Sequence, residues 1–133
     1  MDKASKYKPT KSELEILQII WHNGPSTVRF VNDKLNEQKK TGYTTTLKMM
    51  QIMHDKDLLG RNVGSKVHVY HPLVQKEEIQ AELLDRFLEN TFSGSAHKLV
   101  MKALGNHKAS KSELEEIKKL IQKLEEENNG TTG

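Results

Sequence analysis

The sequence predicts a mainly α protein with one small β-hairpin, three short helices before the hairpin and a purely helical stretch after it. Three observations predict this. Apolar residues recur at helical spacing in six segments. Between the third and fourth lies "LLGRNVGSKVHVYHP", where Val63, Val67 and Val69 surround a Gly64-Ser65 turn and Pro72 stops the run, the pattern of a hairpin. The composition, 35% hydrophobic and 5% aromatic against 29% charged, describes a helix-leaning chain with a modest core.

The first helix is announced by "TKSELEILQIIW". Thr10 and Glu13 stand three apart, the spacing at which a hydroxyl and a carboxylate satisfy each other's backbone donors, so a helix starts near Lys11 with Leu14, Leu17 and Trp21 on one face. "HNGPS" breaks it, and Ser26 is placed to cap a second helix that buries Val28, Val31 and Leu35.

The third helix is "YTTTLKMMQIMHDKDLL". At 100° per residue Thr46, Met49, Met50 and Met53 fall on one side, which leaves Thr44, Lys48 and Gln51 opposite, flanked by Thr45, Leu47 and Ile52. The outer face is therefore polar and hydrogen-bonding, with two apolar residues the core does not take. Three short helices followed by a hairpin is the order of a winged helix-turn-helix, here expected over residues 1–74.

From Gln75 the pattern is helical throughout. "KEEIQAELLDRFLENTF" carries Ile79, Leu83 and Phe87 on one stripe and is ended by Gly94. "SAHKLVMKALG" is a shorter helix with Leu99, closed by Gly105. "SKSELEEIKKLIQKLEEE" opens on a second Ser-Glu box, Ser110 with Glu113, and has Leu114, Ile117, Ile121 and Leu124 at spacings of three, four and three. That seam resembles a coiled coil, and a single helix has too little in its own short chain to bury it. A helical dimerisation domain over 75–127 is expected, with 128–133 a disordered tail.

Charge divides at the same place. Residues 1–71 hold 12 Lys+Arg and 7 Asp+Glu, a balance of +5, whereas residues 72–133 hold 9 and 11, a balance of −2. The basic half is the one expected to meet a polyanion. Alone, the three threonines would read as a cap and a polar surface. Between a preceding helix and a following wing, the hydroxyls of Thr44 and Thr45 and the free amides of a helix N-terminus suit phosphate oxygens. Lys48 and Gln51, one turn deeper, are long enough to reach base edges in a major groove about 12 Å wide, and Leu47 can contact thymine methyls. Arg61 and Lys66 read as phosphate contacts from the wing.

Other chemistries find little support. The chain has no cysteine, so disulfides, thiolate metal sites and cysteine nucleophiles are excluded. His68 and His71 lie three apart on a strand and point to opposite faces, poor geometry for a metal. Glu89 and His97 are the best acid-base candidates, yet nothing brings them together, and neither a Gly-rich phosphate loop nor a nucleophile motif occurs. No enzyme and no cofactor is expected. The lack of an apolar run long enough to span a bilayer and of a signal-peptide core in "MDKASKYKPTKSE" leads to a cytoplasmic expectation.

In their order, "SELEILQIIW", "YTTTLKMMQIMHDKDLL", "GSKVHVYHP" and "FSGSAHKLVMKALGNHKASKSELEEIKKLI" resemble the penicillinase-repressor family of winged-helix transcriptional repressors, the BlaI/MecI-like proteins to which copper-responsive CopY-like repressors also belong. The resemblance covers nearly the whole chain. It implies a homodimer whose winged helix binds a palindromic operator in double-stranded DNA and whose C-terminal helices interlock the subunits. It also implies a membrane sensor-protease system as a partner that cuts the C-terminal domain. The family's cut falls between Asn and Phe, where a gapless placement puts Lys102 and Ala103. The cysteine-rich tail that takes up metal in the copper-responsive members is absent. Asp57 stands where the family has Gly after Lys56, a position expected to need φ > 0, which Asp tolerates better than most residues. A protein-binding winged-helix adaptor that never touches DNA is the alternative reading.

Overall fold

Thr10 opens the first helix as its spacing to Glu13 requires. In the computed structural model, which describes residues 8–131 except Val63 and Ser65, the Thr10 hydroxyl accepts from the Glu13 amide at 3.1 Å and the Glu13 carboxylate accepts from the Thr10 amide at 2.9 Å. Helix α1, Lys11–Asn23, follows. Its buried residues are Glu13, Ile16, Leu17 and Ile20, while Leu14 and Trp21 are half-buried at the rims. The stripe expected through Leu14, Leu17 and Trp21 is thus turned toward Ile16 and Ile20, and α1 packs against the next two helices and the sheet.

Gly24, at φ 88°, takes the chain out of α1. Ser26 is not the next cap. It pairs with Tyr70 in a two-residue strand β1, Ser26–Thr27, and Thr27 instead accepts from the Phe30 amide at 3.1 Å to begin α2, Val28–Asn36. The extended backbone of β1 shifts the cap by one residue, and threonine serves nearly as well as serine there.

Helix α3, Tyr43–Asp55, is followed by β2, Leu59–Arg61, and β3, Val69–Pro72. The three strands form an antiparallel sheet in the order β1-β3-β2. Leu59 faces Pro72, Gly60 faces His71 and Arg61 faces Tyr70, and the Asn62 amide still reaches the Val69 carbonyl at 3.0 Å. Pairing then stops. Strands β2 and β3 are the two arms of the expected hairpin, and Val67, expected to belong to its second arm, is exposed ahead of β3. Val63 and Ser65, expected at the turn, lie outside the described residues. Asp57, between α3 and β2, adopts φ 63° as expected.

The chain divides into two compact units, residues 1–86 and 87–133. The first has a closed core of Ile16, Leu17, Ile20, Val28, Val31, Met50, Met53, Leu58, Leu59, Tyr70, Val74 and Ile79. Each large apolar side chain so buried contributes roughly 1.5–3 kcal/mol relative to exposure.

The unit boundary falls inside helix α4, Lys76–Phe92. Ser93 and Gly94, both at positive φ, end that helix, and the Gly94 amide reaches back to the Leu88 carbonyl at 2.9 Å. Helix α5, Ala96–Asn106, is capped by Ser95 and runs one residue past Gly105, which was expected to close it. Helix α6, Lys111–Thr131, starts on the expected box: Ser110 accepts from the Glu113 amide and Glu113 from the Ser110 amide, each at 3.0 Å. The Ser110 amide donating to the Glu113 carboxylate, and after it the Ser110 hydroxyl beside that carboxylate, hold the Glu113 carboxyl below its ordinary pKa.

Candidate nucleic-acid interface

The register of α3 is fixed from its inner side. Thr46, Met50 and Met53 are fully buried. A buried hydroxyl needs a partner, and Thr46 finds one in Asn32 of α2, whose amide donates to Thr46 Oγ1 at 2.8 Å and to the Thr41 carbonyl at 3.0 Å. Asn36, one turn further along α2, donates to the same Thr41 carbonyl at 2.9 Å and accepts from the Thr41 amide at 3.0 Å. Two asparagines therefore clamp the turn between α2 and α3 at its last residues before Gly42.

The far end of α3 is tied as well. Lys56 places its ammonium 2.9 Å from both oxygens of Glu13, whose side chain is 5% exposed against 44% for the lysine. Glu13 thus caps α1 and anchors the end of α3 with one carboxylate. Trp21 donates its indole N–H to the Val74 carbonyl at 3.1 Å, fastening α1 to the segment that leaves β3. Spacing alone marked Glu13 as a cap. The bonds of Asn32 to Thr41 and Thr46, the Lys56 bridge and the Trp21 bond carry no local signal, since each joins residues nine or more apart.

What remains outward on α3 is the face the periodicity singled out. Thr44, Thr45, Lys48, Gln51 and Ile52 are exposed, and Leu47 is half-buried, leaning on the core's edge. Gly42 is the N-cap and offers no side chain to the first-turn amides of α3. A helix start of this kind presents unpaired N–H donors and the positive end of the helix dipole, which suit an anionic oxygen. Arg61, half-buried, sits on β2 next to α3, and Lys66 is exposed in the wing loop.

The expected dimer residues divide. Ile79 is 1% exposed in the first unit's own core, so it is not available to a second copy. It lies in the first turn of α4, close behind Val74, and the core claims it before any partner could. Leu83 is half-buried against that core. In the second unit Phe87, Leu114, Ile121 and Leu124 are between 41% and 49% exposed, and Leu99 and Ile117 are half-buried. Val100, Met101, Leu104 and Leu120 are exposed too.

Among the described residues no group of His, Asp and Glu could hold a metal ion, and no helix is long and apolar enough to cross a membrane.

Known proteins match this chain over most of its length. It is 21% identical over 117 residues to the methicillin resistance regulatory protein MecI of Staphylococcus aureus strain N315, a match covering 88% of this chain and 95% of MecI. The MecI of Staphylococcus epidermidis matches to the same extent. The solution structure of the monomeric form of Bacillus licheniformis BlaI in complex with the blaP half-operator aligns at a TM-score of 0.48 and 21% identity, covering 54% of this chain and 88% of that one. The penicillinase repressor family profile matches residues 9–123, from just before the α1 capping box into α6, and the chain belongs to that family of transcriptional repressors.

Proposed function

We propose that this repressor acts as a homodimer on a palindromic operator, with the α3 helix of each subunit in the major groove. The observation that carries the reading is the outward face of α3: Thr44 and Thr45 at an N-terminus free of any side-chain cap, then Lys48 and Gln51 one turn deeper, on a helix whose inner face is locked by Asn32 and Met50. Phosphates would meet the threonines and the first-turn amides, and base edges would meet Lys48, Gln51 and Leu47. Arg61 and Lys66 would follow the backbone from the wing. On this reading the protein works in the cytoplasm, residues 1–74 bind DNA and residues 75–127 hold the dimer, with Phe87, Leu99, Leu114, Ile117, Ile121 and Leu124 between the subunits.

Release by a membrane sensor protease would require a cut in the C-terminal part. Lys102 and Ala103 lie within α5, and a protease seats its substrate in extended form, so α5 would have to unwind first.

Selection from a random duplex library at near-physiological salt tests the reading. An enriched inverted repeat with half-sites about one helical turn or a small multiple apart is expected for a dimer. A flat library overturns it and directs attention to protein partners. With the selected site in hand, Lys48→Ala should cost about 1–3 kcal/mol and relax preference at one step of each half-site. Uniform weakening across all sequences would make Lys48 a phosphate contact instead.

A further inference from the structure

Arg29 lies in the first turn of α2, and Tyr43 is the first residue of α3. The Arg29 guanidinium sits over the Tyr43 ring, 5.5 Å from its centroid, and both side chains are exposed. Among the described residues Arg29 has no carboxylate partner, although Asp33 stands one turn along the same helix. An exposed arginine normally spreads over many rotamers, whereas one resting on an aromatic face keeps its N–H fork free while its orientation is narrowed. The pair bridges the starts of the two helices of the helix-turn-helix, next to Thr44 and Thr45. In that motif the first helix crosses the DNA backbone while the second lies in the groove.

We propose that Arg29 and Tyr43 form one phosphate anchor, in which the guanidinium of Arg29 pairs with a backbone phosphate at the mouth of α3 and the Tyr43 ring holds the fork in place. The inference rests on the DNA-binding reading above. Arg29 supplies the contact, and Tyr43 is a positioning residue that carries no charge to the phosphate. The planar fork matches two phosphate oxygens at once, which a ring-held arginine presents with little further ordering.

The test is the salt dependence of binding by the full chain to a random-sequence duplex pool, where affinity reports phosphate neutralisation rather than base readout. For each bound subunit, Arg29→Ala should make the slope of log affinity against log salt shallower by about 0.9, the value of one released phosphate contact. Arg29→Lys, which keeps the charge, should restore most of that slope. Tyr43→Ala should weaken binding in the direction of Arg29→Ala and add nothing in the double variant, while Tyr43→Phe should behave as wild type. A wild-type protein that binds no duplex overturns the DNA-binding reading and this anchor with it. Steep wild-type salt dependence left unchanged by Arg29→Ala overturns the anchor alone. A Tyr43→Phe variant as weak as Tyr43→Ala would make the tyrosine hydroxyl the contact and overturn the ring's positioning role.

Discussion

The two units of the chain treat their apolar side chains in opposite ways. Residues 1–86 enclose Ile16, Leu17, Ile20, Met50 and Met53 completely, and every buried side-chain nitrogen or oxygen among the described residues has a partner. In the second unit no side chain of α5 is buried, and α6 leaves Leu114, Leu120, Ile121 and Leu124 at 41% to 55% exposure. Apolar area left in water at that density forgoes its transfer free energy, so the first unit is complete as a single chain and the second has a surface that gains from being covered. The contrast separates two jobs. On the proposed reading, the first unit presents α3 and the apolar stripe of the second supplies the dimer contact.

The contrast breaks most visibly at Ile117. Placing a charge in the seam with Ile117→Lys should convert a dimer to monomers that bind a half-site weakly, read by light scattering or sedimentation. A full-strength dimer would sink the seam. The same kind of change in the first unit should act on folding instead: Met50→Ala empties a fully buried site and should lower stability by about 2–5 kcal/mol, read by denaturant melts, with assembly of the folded protein unchanged.

A smaller effect sharpens the picture of how α3 is aimed. Asn32→Ala removes the donor to the buried Thr46 oxygen and one of the two side-chain donors to the Thr41 carbonyl, and should cost about 1–3 kcal/mol while lowering operator affinity, since the turn that sets α3 against α2 loosens. Unaltered affinity at full occupancy of the folded state would show that the clamp serves stability alone.

The smallest effect lies at the start of α6. Because Ser110 holds the Glu113 carboxyl below its ordinary pKa, the stabilisation it brings is present above the ordinary carboxylate pKa and is lost as pH falls through the lowered value. Ser110→Ala keeps the backbone donor and removes only the hydroxyl, so it should move the Glu113 titration part of the way back up, measured by carboxylate NMR, and an unmoved titration would leave the Ser110 amide as the sole cause.

Legibility in the sequence followed the range of the interaction. The boxes of Thr10 with Glu13 and Ser110 with Glu113 span three residues and were readable, as was the positive φ of Asp57. The phase of α3 was readable because Thr46, Met50 and Met53 repeat at helical spacing around a polar remainder. Strand β1 was not, since two residues are too few for an alternation, and its partner Tyr70 lies 44 positions away. The burial of Ile79 was hidden because its apolar stripe continues into Leu83 and Phe87, and periodicity cannot say where one core ends and another surface begins. The clamp of Asn32 on Thr46 was hidden for a related reason. A buried polar pair looks, in sequence, like two surface residues.

The bond from Trp21 to the Val74 carbonyl has an optical consequence. Trp21 is the one tryptophan in the chain, and it belongs wholly to the first unit, half-buried beside the exit from the wing. Its intrinsic fluorescence is therefore a built-in gauge of that unit. A red shift in emission would register α1 parting from the segment after β3, while the far-ultraviolet helical signal follows both units together, so the two traces can time their melting separately without any label.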